Sequence, residues 1–303
     1  MKIYYGTKEN MNDVTEICKN RLRKDNIITI PESDTIRTQY FVDNNPGIEK
    51  YIFIEHLDIT TYYNQHFIIK INVLDENIYI YNANIILDKL KNLHTTLKLD
   101  YGNFTDEFPE QIMAVKYIKK DNKVLEIGGN IGRNSMVISS ILENQKNLVV
   151  LESSQTIANQ LIHNKKLNNM NFHIENSALS KNKLIQKVGD SESEWYTILS
   201  DVLKPGYEWV NTITLKQLQD KYNIEYDTLV LDCEGAFYYI LKDFPEILDT
   251  INLIIMENDY YEIEKKLYVD LILKNNNFTS IYTKSGGWGP CYDKFFEVWK
   301  KLD

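Results

Sequence analysis

Cysteine is scarce in this chain: Cys18, Cys233 and Cys291 are the only three in 303 residues. They are widely scattered and form no Cys-x-x-Cys pair, so neither a disulfide framework nor a zinc site is expected, and a reducing compartment is the simpler setting. Glycine and proline are sparse while asparagine, isoleucine, lysine and tyrosine abound, a coding bias of an AT-rich genome rather than a chemical signal. Long apolar runs are missing. None approaches the ~20 residues of a membrane span, and the opening MKIYYGTKEN has no apolar signal core, so a cytoplasmic location is expected. Positive charge is in deficit, with 34 Lys and Arg against 43 Asp and Glu, a net charge of −9. That balance argues against a nucleic-acid backbone as main partner, since neutralising phosphates needs a basic face. No internal repeat and no low-complexity linker occur.

What is there is globular. Hydrophobic residues make up 43% and charged residues 25%, enough for a packed core. Residues 1–83 carry short β-rich runs: KIYYG, IITIP, TQYFV, KYIFIEHL, QHFIIKINVL and NIYIYNA. Turn residues such as DNNPG separate them, and one helical stretch, DVTEICKNRL, interrupts them. A small, mostly antiparallel β domain is expected there. Residues 84–106 read as a linker with a helix in IILDKLKNLHTTL. From 107 to 303 the pattern becomes strand, helix, strand: KVLEIG, GRNSMVISSILENQ, NLVVLESS, QTIANQLIHNKKLNN, NFHIENSAL, TLVLDCEG, AFYYILKDFPEILDT, INLIIMEND. Such alternation predicts βαβ units and a parallel sheet with ligands at the strands' C-terminal edge.

Three features mark that edge. The first is Gly128-Gly129-Asn130-Ile131-Gly132, at the turn from a strand into a helix. Glycine permits positive φ and close approach of a ligand to the backbone. The dinucleotide fingerprint GxGxxG lacks its last two glycines here, and no Gly-Lys-Ser/Thr follows, so a pyrophosphate site is disfavoured. The second is Glu152, an acid closing the next strand, placed to accept hydrogen bonds from ribose hydroxyls. Together they describe a nucleoside site without a pyrophosphate, and S-adenosylmethionine (SAM) is such a ligand. The third is Asp232 and Glu234 in LVLDCEG. Two carboxylates at a strand end are costly when buried unpaired, and they point to a polar site on the same crevice.

The ordered set VLEIGGNIGRNS, LVVLESS, NFHIENSALS, VNTITLKQLQDKY, LVLDCEGAFYYIL and INLIIMEND, spanning about residues 107–281, resembles the FkbM family of SAM-dependent methyltransferases. Glu126 and Gly129 stand where that family usually has Asp and Ala, and Ser153, Val230 and Phe237 also depart from its pattern. The resemblance implies an α/β fold, a Rossmann-like seven-strand class I methyltransferase sheet whose last strand, in DKFFEVWKK, is antiparallel. It implies O-methylation of a sugar, glycan or glycosylated small molecule. Carried over, Gly128, Asn130 and Gly132, with Gly129 and Asn134, would hold the amino-acid end of SAM, and Glu126 would orient that turn or contact the methionine ammonium. Glu152 with Ser153 would hold the ribose, Asn176, Ser177 and Ala178 would flank the adenine, and Asp232 and Glu234 would face the methyl group and the acceptor.

A sugar hydroxyl is a poor nucleophile, so a general base is expected. Asp232, Glu234 and Glu257, with Asp259 close behind, are the candidates, and the rival use for these acids is to hold Mg²⁺. Trp195 and Tyr196 in an insertion expected to be loop-like, and Trp288 in SGGWGPCYDKFF, are candidates to stack on a sugar face, against the alternative of ordinary packing. Two other functions stay open: a non-catalytic methyltransferase-like scaffold and an NAD-dependent oxidoreductase, the latter opposed by the missing fingerprint. A homo-oligomer is compatible with all three.

Overall fold

Alternation along the strands, apolar in and polar out, organises the first part of the chain. A computed structural model describes residues 1–57, 59–188 and 197–302. The chain divides into two compact units, Met1–Asp88 and Lys89–Asp303. In the first, two four-stranded antiparallel sheets form. One runs in the order Met11–Asp13, Lys2–Gly6, Tyr51–His56, Ile59–Tyr63; the other in the order Arg23–Lys24, Ile27–Ile30, Phe67–Asn72, Ile78–Asn82. Every second residue points inward, so Ile3, Tyr5, Ile28, Ile30, Ile52, Ile54, Ile69 and Ile71 make the core with Cys18 from helix Thr15–Arg21.

Sequence reading differs from this unit in several places, among them the short strands Met11–Asp13 and Arg23–Lys24, which it did not expect. TQYFV is not a strand: a helical turn at Asp34–Arg37 is followed by turns in which Tyr40 and Phe41 donate their amides to the Arg37 carbonyl. The fully buried Arg37 guanidinium, donating to the carbonyls of Pro31, Asn64 and Phe67, fixes that geometry. The strand Ile59–Tyr63 was not expected, because most of its residues are exposed and its pattern gives no buried face.

The second unit holds a seven-stranded sheet. Its strands are β1 Val124–Ile127, β2 Leu148–Leu151, β3 His173–Glu175, β4 Thr228–Leu231, β5 Leu253–Glu257, β6 Phe278–Lys284 and β7 Phe296–Lys301. Their spatial order is β3-β2-β1-β4-β5-β7-β6. Strands β1 to β5 are mutually parallel, and β7 runs antiparallel to β5 and β6. This is the Rossmann-like sheet with a reversed last strand that the sequence leads one to expect. Strand order reverses beside β1, so the crevice opens at the C-terminal ends of β1 and β4. Continuous burial of β1, β2 and β4 is what a sheet covered on both faces demands.

Helices α1 Phe108–Tyr117, α2 Arg133–Ile141, α3 Gln155–Leu167, α4 Leu215–Tyr222, α5 Phe237–Asp243 and α6 Ile263–Asn275 accompany the strands. A further helix, Ala83–Thr96, leads into the second unit. The end of this helix and the segment after it are tied down there: His94 bonds Gln111 at 2.6 Å, and Asn164 accepts from the Asp100 amide. The insertion after β3 is not simply a loop among its described residues. Leu184–Lys187, Ile198–Leu199 and Tyr207–Val210 form a small antiparallel sheet. No helix among the described residues is long and apolar enough to cross a membrane.

Helix α4 starts with a capping box. The Thr214 hydroxyl accepts from the Gln217 amide while Gln217 accepts from the Thr214 amide at 3.0 Å. Removing a cap costs about 1 kcal/mol, so Thr214→Ala is expected to lower the melting temperature by roughly 2–4 °C, as scanning calorimetry would measure.

Candidate active site

The turn after β1 is held from beneath. Gly128 has φ +90°, and a Cβ there would lie 1.6 Å from the Asp232 carbonyl oxygen. A Cβ at Gly129 would strike Val150, and one at Gly132 (φ +95°) would strike Leu161. The glycines are therefore required by packing against β4, β2 and α3, rather than by a ligand pressed on their bare Cα. Asn130 takes positive φ as well, 46°, a conformation asparagine tolerates better than most residues.

The amides of this turn are spent. Gly128 and Gly129 donate to the Leu151 carbonyl, and Gly132 donates to that of Gly129. Asn130 donates to a Glu152 carboxylate oxygen at 2.9 Å, and Ile131 to the side-chain oxygen of Asn130 at 2.8 Å. A phosphate site needs convergent free N–H groups, and Gly128 to Gly132 offer none.

Glu152 closes β2. One of its oxygens accepts from Asn130, the other from the Ser154 amide at 2.8 Å. A carboxylate has about four acceptor positions, so lone pairs remain for hydroxyls. Burial pushes its pKa up to about 6, and the backbone amides of Ser154 and Asn130 resist the rise. The adenine-side candidates follow β3. Asn176 donates its amide to the carbonyls of Glu152 and Ser153, which ties the two loops together. The Ser177 hydroxyl is turned inward onto Glu175, which also accepts from Lys221 and Tyr222. The Ser153 hydroxyl reaches Gln186 at 3.2 Å, and Ala178 donates its amide to the Asn211 carbonyl.

Across the turn lies a group of acids. Glu110, Glu126, Asp232 and Glu257 line one cavity with Gly128, and Asp259 stands beside it. Asp232, Glu257 and Asp259 each present an oxygen within 4.8 Å of the others. Arg133 pairs with Glu107 at 2.7 Å; Glu110, Glu126, Asp232, Glu234, Glu257 and Asp259 have no ion pair among the described residues. Among the described residues, one oxygen each of Glu110, Glu126 and Asp259 is buried without a hydrogen-bond partner.

The consequence is protonation. Burial raises Glu126 to about 8, moderated by Ser135 and Asn134. Burial followed by the charges of Glu107 and Asp259 holds Asp232 well above the carboxylate range. Glu257 is raised by burial and by its hydrogen bond with Glu110, and Asp259 reaches about 7 through burial and the Glu234 charge. An arrangement this acidic, with orphaned oxygens, is chemically complementary to a cation. Either an organic cation along Glu126 or a divalent metal on the Asp232–Glu257–Asp259 oxygens fits it.

The structure thus brings together Glu126, Gly128, Asn130, Asn134, Glu152, Asp232 and Glu257 at one edge. Glu234, at φ 52°, sits in the turn after β4 just behind Asp232. Trp195 and Tyr196 lie outside the described residues. Trp288 lies on the loop before β7, its ring 4.5 Å from that of Tyr261. Neither His163 nor His173 joins the site: His163 pairs with Asp100, and His173 packs on Tyr222. Sequence reading missed Glu107 and Glu110. Their signal is the i, i+3 spacing of two acids around Pro109 at the start of α1, which puts both on one side of its first turn.

No protein family matches this chain by its sequence, and no curated protein does. Among solved structures, it is similar to a putative O-methyltransferase from Klebsiella pneumoniae, with 15% identity, 72% of this chain and 90% of the other covered, and a TM-score of 0.40. An O-methyltransferase from Bacillus cereus in complex with SAH gives 15% identity, 72% and 90% coverage, and a TM-score of 0.39. Fibrillarin from Aeropyrum pernix with natively bound S-adenosyl-L-methionine gives 10%, 78% and 94%, and 0.39.

Because the folded-state pKa of Glu126 is raised, its contribution to stability is complete below about pH 4.5 and is lost as pH rises through about 8. Glu107, Glu152 and Asp259 act with the same sign. The ligand-free protein should therefore melt at progressively lower temperature from pH 5 to pH 8.5. Glu126→Gln should flatten that slope and raise the melting temperature at pH 8.5 by about 3 °C or more, as thermal melts across pH would detect.

Proposed function

We propose that this protein is a SAM-dependent methyltransferase. The observation that carries the reading is the pairing of a turn whose amides are all used with buried carboxylates that lack partners. Such a site suits a ligand that has a ribose and positive charge but no phosphate. SAM has a ribose, an ammonium group and a sulfonium, and it supplies a methyl group activated for displacement. An NAD-dependent oxidoreductase would need the anion-binding amides that this turn has spent.

In this reading Glu152 accepts the ribose hydroxyls. Asn176 keeps Glu152 and the loop after β3 in fixed relation, and Ser177 and Ala178 border the adenine. Glu126 neutralises the ammonium group and the Asn134 side-chain oxygen accepts a hydrogen bond from it, while Gly128, Gly129, Asn130 and Gly132 shape its seat. Asp232 faces the methyl group and the acceptor. Methyl transfer is an in-line displacement, so holding the acceptor oxygen on line supplies several kcal/mol of the rate.

The finer proposal is an O-methyltransferase of the FkbM type acting on a sugar, glycan or glycosylated small molecule. The acid-rich crevice favours such a neutral acceptor over a polyanion. Once the positive charge of bound SAM has driven off the proton that burial holds on it, Asp232 takes the acceptor's proton, and Glu234 and Asp259 are the other candidate bases. Glu257, held protonated by burial, hydrogen-bonds Glu110 and Asp259 and so orients those neighbours. Where a divalent cation occupies Asp232, Glu257 and Asp259, it would acidify the acceptor hydroxyl instead.

Calorimetric titration with S-adenosylhomocysteine, with NAD⁺ as control, tests the cofactor. Binding of the first alone is expected. Glu152→Ala should weaken it about 10- to 100-fold, the worth of hydrogen bonds to a charged group. Failure of the wild type to bind S-adenosylhomocysteine would reject this function. Adding Mg²⁺ with and without EDTA during thermal melts separates the two uses of the acids: a melting temperature raised by Mg²⁺ and lost in Asp259→Asn favours the metal.

A further inference from the structure

Two large aromatic side chains stand open at the same edge of the sheet as the acids. Tyr261 is 69% exposed and Trp288 39% exposed, yet their ring centroids are only 4.5 Å apart at an interplanar angle of 49°. Burial therefore does not explain their pairing; side chains of this size normally seek the interior.

Their location follows from the topology. Strand β6 is parallel to β1 through β5, because both β6 and β5 pair antiparallel with β7. The loop from β6 to β7 is thus at the C-terminal edge, where β5 delivers Glu257 and Asp259. Tyr261 is two residues beyond Asp259, at most about 7 Å along the chain. The backbone of Gly289 lies on the Tyr260 carbonyl, and Gly235, of the Asp232–Gly235 turn, lies against Asp259 and the Tyr260 ring.

The loop is built to hold Trp288 there. Gly287, at φ +57°, lies flat on Phe295, and a Cβ would come 2.1 Å from that ring. Gly286 donates its amide to the Tyr292 carbonyl at 3.0 Å, and Phe295 packs edge-on against Phe296 at 5.0 Å. A loop fixed by buried rings at its base presents an exposed tryptophan at its tip.

Resting on the methyltransferase reading, we propose that Tyr261 and Trp288 form the acceptor platform, a tilted aromatic wedge that takes one face of a neutral hydroxylated ring and delivers a hydroxyl toward Asp232 and Asp259. The surrounding carboxylates exclude an anionic acceptor. A sugar ring and a phenolic ring share this chemistry, a flat carbon-bound face with hydroxyls at its edge, and the experiment separates them.

The protein saturated with S-adenosylhomocysteine is titrated by saturation-transfer NMR with a panel of methyl glycosides in one arm and with catechol in the other. Adenosine monophosphate serves as the anionic comparison. Binding in one neutral arm and not by the nucleotide is expected. Trp288→Ala and Tyr261→Ala should each weaken it about three- to tenfold, the worth of one ring contact, while S-adenosylhomocysteine affinity is unchanged and Trp288→Phe recovers most of the loss. No binding in either neutral arm, or variants that bind like the wild type, overturns the platform while leaving the cofactor site standing. If wild type does not bind S-adenosylhomocysteine, the methyltransferase reading falls and takes the platform with it.

Discussion

The carbonyl oxygen of Asp232 occupies the space that a side chain at position 128 would need. Everything at the C-terminal edge depends on that close approach of the β1 and β4 ends. It carries Gly128 and Asp232 into one cavity and swings the following turn over Val150 and Leu161. From there Asn130 can reach Glu152 on β2. Hydrogen bonds of this turn then close on the neighbouring strand instead of on a ligand, which decides what kind of ligand can enter. A turn with free amides would have served an anion. This one leaves the work to side chains, and nearly all of those that converge are acids.

Burial of so many carboxylates is unfavourable in isolation. Arg133 relieves Glu107, and a hydrogen bond with Glu110 helps Glu257 keep its proton. Glu126 keeps an oxygen without any partner at the floor of the cavity. A fold tolerates such local conflict where a site requires it, and stability comes from elsewhere. Here the fully buried parallel strands and the large cluster behind them, from Leu125 and Leu229 to Phe244 and Trp299, supply it.

Much of this was legible in the sequence. Strong periodicity gave the βαβ units, and the acids closing β2 and β4 stood at positions that only a strand end explains. The reason for the glycines was not legible, because the atoms that forbid a Cβ come from Asp232, Val150 and Leu161, all distant in sequence. Glu107 and Glu110 escaped for a related reason: an acid in the first turn of a helix is ordinary, and only the fold reveals that this turn caps a cavity. The strand Ile59–Tyr63 escaped because an exposed edge strand has no inward face to alternate with. The pairing of Tyr261 with Trp288 was hidden by the 26 positions between them, although Trp288 itself drew attention as a large aromatic in a glycine loop.

Acids that retain their protons near neutrality make the crevice a reservoir as well as a receptor. A cation that settles against Glu126 or Asp259 must displace what those groups already hold, so occupancy is an exchange of one positive species for another. The heat of such an exchange includes the heat of whatever buffer accepts the released protons. The apparent enthalpy of binding at this site is therefore a property of the protein and its solvent together, and two laboratories using different buffers at one pH would measure different enthalpies for the same event.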